Sequence, residues 1–95
     1  MALLLSRVTE SGIETTYHRV DNVLLRFDEG YVHFDVQSWK DADTRKALNE
    51  DGTHKYMRVS STNYDVPLNE FKELSQNGFY NYLKTLPEWE GATDA

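Results

Sequence analysis

The chain of 95 residues has no cysteine. This excludes disulfide frameworks, zinc–thiolate sites and cysteine nucleophiles, and points to folding in a reducing compartment. Basic residues are few: ten Lys and Arg stand against sixteen Asp and Glu, a formal charge of −6. Contact with a nucleic-acid backbone needs a basic surface that releases counterions, so no nucleic-acid partner is expected. No apolar run approaches the roughly 18–20 residues of a membrane span, so no membrane partner is expected either. The opening Met1-Ala2-Leu3-Leu4-Leu5 is too short for a signal-peptide core and has no basic residues before it. The five glycines (12, 30, 52, 78 and 91) are all isolated, so no phosphate-binding glycine loop exists, and no G-x-S-x-G marks a nucleophile elbow. Asn49-Glu50-Asp51-Gly52 lacks the ladder and closing glutamate of a calcium loop and reads as an ordinary loop.

The residues present describe one α+β domain over positions 1–95, rich enough in aromatics to fold. Residues 3–9 read as a first strand. Residues 14–20 read as a second, either continuous with residues 23–27 or broken from them at Asp21-Asn22. The clearest local pattern comes next. Val23, Leu25 and Phe27 alternate with Leu24 and Arg26, Asp28-Glu29-Gly30 supplies a turn, and Val32, Phe34 and Val36 then alternate with Tyr31, His33, Asp35, Gln37 and Trp39. Two-residue periodicity on both sides of a short glycine turn predicts a β-hairpin. Residues 40–55 are charged and predict an exposed loop, with a short helical turn over 41–48 as the alternative. Alternation resumes over 54–61, where Met57 and Val59 face one way. From Leu68 to Leu86 apolar residues recur at three- and four-residue steps, the stripe of an amphipathic helix. Asn69 or Ser75 is its cap, Gly78 a possible division, and Pro87 its stop. Residues 88–95 form a polar tail anchored by Trp89. The expected architecture is a small antiparallel sheet of four or five strands with a C-terminal helix packed on one face.

Chemistry-bearing groupings are sparse. No pair among His18, His33 and His54 has metal-ligand spacing within one element, so they are read as sheet-surface histidines, and no cofactor or metal is expected. No acidic pair sits in a general-acid and nucleophile context. The chain is therefore read as a binding protein and not an enzyme. Five aromatics are the candidate interface residues: Tyr31, Trp39, Tyr80, Tyr82 and Trp89. The competing reading places them in the core or at its rim. Tyr80 and Tyr82 cannot both point inward, because helical positions two apart lie about 200° around the axis. Trp89 packs either back on the sheet or onto a neighbouring subunit.

The run Phe79-Tyr80-Asn81-Tyr82-Leu83-Lys84-Thr85-Leu86-Pro87-Glu88-Trp89, followed by Gly91-Ala92-Thr93-Asp94, resembles a Y-x-Y-L-K-T-L-P-E-F-like ending of small tailed-phage proteins. The opening five residues, Gly12-Ile13-Glu14 and Tyr17-His18-Arg19-Val20 resemble their beginning. Trp89 stands where those proteins usually have Phe, and residues 74–78 depart from their Asn-Pro helix start. The resemblance implies a virion structural or assembly protein of the tail or baseplate. Its partners would be other tail proteins or further copies of itself, and its location the virion, with the host cytoplasm during assembly. Two other functions compete: a non-structural phage accessory protein that blocks a host factor through its acidic surface, and a carbohydrate-binding module stacking sugars on Tyr31, His33 and Trp39.

Overall fold

The computed structural model describes residues 2–95. Its centre is the hairpin that the alternation predicts. Strands β2 (Glu14–Arg26) and β3 (Tyr31–Trp39) pair antiparallel from Tyr17↔Trp39 through Val20↔Val36 to Arg26↔Tyr31. A four-residue turn closes them. The Gly30 N–H donates to the Arg26 carbonyl at 2.9 Å, and Gly30 takes φ +76°, a conformation open to glycine at little cost. The alternatives at Asp21-Asn22 resolve into one strand with a β-bulge between Asp21 and Leu24. Asn22 adopts φ 53°, which short polar side chains tolerate best after glycine. Its N–H donates to the Asp21 carboxylate at 2.8 Å, and its side-chain amide donates to Asp35 Oδ2 at 3.0 Å.

β1 (Leu3–Val8) lies antiparallel to the start of β2, with an irregularity between Leu4 and Arg7. The strand expected over residues 54–61 is displaced. β4 (Ser60–Pro67) pairs with β3 without a bulge from Ser38↔Ser60 to Tyr31↔Pro67, whereas residues 54–59 are exposed and Met57 is 85% accessible. β4 is an edge strand and meets the core through Val66 and, partly, Tyr64, so its own alternation is faint while Met57 and Val59 mimic one. Pro67 is tolerated because it ends that edge strand. The tail holds a further correction. Residues 93–94 form β5 (Thr93–Asp94), which pairs with β1 and completes a five-stranded antiparallel sheet in the order β4-β3-β2-β1-β5.

Residues 40–55 are not simply a loop. Asp41 caps α1 (Ala42–Lys46) by accepting the Thr44 N–H at 2.7 Å, and those Thr44 hydrogen bonds hold the Asp41 carboxyl below its usual range. α1 covers one end of the sheet face that carries Tyr17 and Trp39, with Ala42 packed on them and the Arg45 guanidinium 5.2 Å from the centre of the Trp39 ring.

The opposite face is the core. α2 (Gln76–Lys84) begins at Ser75, whose Oγ accepts the Gly78 N–H at 3.1 Å, so the second of the two expected caps is the one used. Leu68–Glu70 is a separate 3₁₀ turn, and the apolar stripe does not form one continuous helix. Gly78 lies in the first turn of α2 instead of dividing a longer helix. A Cβ there would overlap the Glu73 carbonyl oxygen and lie 2.8 Å from its carbon, so the chain passes too close for any other residue. Phe79, Tyr80 and Leu83 sit on Leu3, Val20, Val32, Phe34, Val36 and Val66. Neither the helix stripe nor the sheet face can bury its apolar surface alone. Pro87 opens a second 3₁₀ turn (Pro87–Trp89), with Leu86 extended before it as proline requires.

That last turn delivers Trp89 into the core. Its indole N–H donates to the Tyr64 hydroxyl at 2.9 Å, its ring meets His18 edge-on at 4.9 Å, and the Arg7 guanidinium lies 4.3 Å above it. His18 is buried and is no surface histidine. Its Nε2 is 2.8 Å from the Leu5 carbonyl, which can only accept, so Nε2 carries the proton and Nδ1 accepts from the Ser38 hydroxyl at 2.7 Å. Burial lowers the His18 pKa, opposed by the Leu5 hydrogen bond and reinforced by the nearby Arg7 charge. No helix among the described residues is long and apolar enough to cross a membrane.

Candidate protein-contact surface

The five candidate aromatics do not gather on a surface. Trp89 and Tyr80 are interior, and the Tyr80 hydroxyl accepts the Val20 N–H at 2.9 Å. Burial raises the Tyr80 pKa. Tyr82 is half-buried against Phe71, 4.8 Å between ring centres, so the helix turns Tyr80 inward and Tyr82 toward the rim. Trp39 is buried beneath α1. Tyr31 alone among the five is exposed. The sugar-stacking trio fails for a related reason. Tyr31 and His33 are neighbours on one face, but Trp39 lies six residues beyond His33 along β3, under its helical cover.

What the fold exposes is the outer half of the hairpin. Residues 21–29 are all exposed, because β2 and β3 run past the end of the helix layer. Five large apolar side chains sit there: Val23, Leu24, Leu25, Phe27 and Tyr31, with Leu24 48%, Phe27 69% and Tyr31 47% accessible. The strand's pleat spreads them over both faces, and the bulge between Asp21 and Leu24 sets which residue takes which face. Leu25 pairs with Val32 on the core side, while Leu24 pairs with His33 on the side away from α2. On that second side Leu24, Arg26, Glu29, Tyr31, His33 and Asp65 line a shallow hollow of about 570 Å³. Its polar members are already paired. His33 Nδ1 is 2.7 Å from Asp65 Oδ1, and Arg26 lies 3.6 Å from Glu29. These contacts are solvent-exposed and add little to stability. They do fix the polar rim around Leu24 and Tyr31.

In the sequence Leu24 and Phe27 look like ordinary strand residues. A signal was present all the same: Val23-Leu24-Leu25 is apolar at three successive positions, so a strand there must show oil on its wet side. Next to the hollow runs the free side of β4, an edge with one charged residue, Asp65, and no strand beyond it among the described residues. The other edge is blunted by the two-residue β5.

His18 and His33 are not brought together. His18 pairs with Leu3 and Ser38, and His33 with Leu24 and Asp65. Among the described residues no group of three or more His, Cys, Asp or Glu side chains is placed to hold a metal ion. The chain matches no protein-family model, no curated protein and no solved structure.

Proposed function

We propose that this chain is a non-enzymatic assembly protein of a tailed-phage virion, in the tail or baseplate and present in several copies. It binds neighbouring chains through the outer half of its β2–β3 hairpin and the adjoining β4 edge. The carrying observation is the concentration of five exposed apolar side chains within the nine residues from Val23 to Tyr31. Such a patch, rimmed by polar groups, suits a protein–protein contact. An unbulged edge strand with a single charge offers backbone hydrogen bonds to an added strand. The phage assignment rests on the resemblance at residues 79–94. The contact surface differs from the aromatic set first expected, since Trp89, Tyr80 and Trp39 serve the interior.

Quantitative mass spectrometry of purified particles tests the reading. Stoichiometric copies are expected, and Phe27→Asp should abolish incorporation while leaving the circular dichroism of the free chain unchanged. Absence from particles would point instead to an accessory protein, with its charge of −6 directed at a basic host factor.

A further inference from the structure

The core face of the sheet changes chemistry where the helix layer stops. Along β3 it reads Val32, Phe34, Val36 and then Ser38, and the register partners on β4 read Val66, Tyr64, Thr62 and Ser60. Trp89 and Arg7 mark the boundary. Beyond them a hollow of about 620 Å³ lies at the sheet end opposite the hairpin turn. It is lined by Arg7, Thr15, Ser38, Ser60, Ser61 and Thr62, with residues 8–11 as its far wall.

Two features make this more than a wet end of a sheet. Arg7 is held in place: its guanidinium stacks on Trp89, whose ring is in turn fixed by the Tyr64 hydroxyl and the edge of His18. Yet none of the four ion pairs among the described residues involves Arg7, in a chain with an excess of acids. The hydroxyls around it are also underused. Thr15 donates to the Arg7 carbonyl at a long 3.4 Å, and the hydroxyls of Ser60, Ser61 and Thr62 have no partner among the described residues. A planar fork of N–H donors, with hydroxyl donors from other strands of the same sheet, is the complement of a tetrahedral oxyanion.

We infer that this hollow binds a phosphate group, with Arg7 as the charged anchor and Ser60 and Thr62 as hydroxyl donors. The volume exceeds a bare phosphate ion and leaves room for the group that carries it. Glu10, on the far wall, is the one acid lining the hollow and weakens binding. The site is independent of the hairpin surface, so either can fail without the other.

The test is a titration of the ¹⁵N-labelled full chain with inorganic phosphate and, separately, glycerol phosphate, at constant ionic strength with chloride as control. Saturable millimolar shifts confined to residues 7–11, 38 and 59–62 are expected. Arg7→Gln should weaken binding by about tenfold or more. Because Arg7 also packs on Trp89, Ser60→Asp is the cleaner variant: it places a negative charge in the hollow from a half-exposed edge position and should abolish binding with the rest of the spectrum unchanged. Glu10→Gln should tighten binding severalfold. Response to the ester alone assigns an esterified phosphate, and response to the free ion alone assigns inorganic phosphate. Shifts that match the chloride control, or a Ser60→Asp protein that binds as well as the parent, overturn the inference.

Discussion

Trp89→Ala is expected to remove a large share of the stability of this chain. The side chain is completely buried, contacts His18 and Arg7, and donates its indole N–H to Tyr64 at 2.9 Å. Truncating a buried tryptophan to alanine costs about 3–5 kcal/mol. A domain of 95 residues has a total of about 5–14 kcal/mol, at roughly 0.05–0.15 kcal/mol per residue. The variant therefore loses between roughly a fifth and all of its stability, and the Thr93–Asp94 pairing with β1 loosens with it. Trp89→Phe separates volume from hydrogen bonding. Phenylalanine keeps a ring between His18 and Arg7 but drops the donor to the Tyr64 hydroxyl. The expected loss is about 1–2 kcal/mol. Urea unfolding followed by far-ultraviolet circular dichroism measures both. With m about 2 kcal/mol per molar, the Phe variant should shift the midpoint by roughly 0.5–1 M at unchanged m. A Trp89→Ala protein that keeps the parental midpoint would refute the interior placement and return Trp89 to the surface.

The remaining predictions concern the helix, the buried histidine and the hairpin. Gly78→Ala should lower Tm despite the better helix propensity of alanine, because the gain of about 1 kcal/mol is outweighed by a clash with the Glu73 carbonyl that overpacking values put at about 1–3 kcal/mol or more; a raised Tm in differential scanning calorimetry would show that the Glu73 carbonyl does not lie against Gly78. Ser75→Ala removes the α2 cap and should cost about 1 kcal/mol in the same assay, whereas Asn69→Ala should be near neutral. The folded-state pKa of His18 lies below its ordinary 6.5, so the unfolded chain takes up protons first as pH falls. The stability tied to neutral His18 is complete above about pH 6.5 and declines below it until the folded pKa is passed. His18→Gln should flatten that part of the pH–stability curve relative to the parent, and identical curves would contradict the buried, neutral assignment. Leu24→Ser should leave thermal stability within about 0.5 kcal/mol, since the side chain is exposed, while reducing association in analytical ultracentrifugation.

The sequence determined by itself whatever depends on near neighbours. Alternation over Val23–Phe27 and Tyr31–Trp39, with Gly30 between, demanded a hairpin because pleat and turn are properties of adjacent residues. Ser75 and Pro87 bounded the helix through the same local chemistry. The pairing of a half-apolar sheet with one closing helix came from apolar stripes that cannot stay in water. Tertiary structure alone decided the rest. A polar edge strand at Ser60–Pro67 becomes visible when β3 offers it a register, and β5 exists because Trp89, drawn into the core, brings residues 93–94 alongside β1. The candidate surface moved for that same physical reason. An aromatic residue looks alike in sequence whether it faces a partner or its own core, and the length of the helix layer settled which: it stops short of Val23–Tyr31 and leaves those side chains in solvent, while it and α1 cover Tyr80 and Trp39.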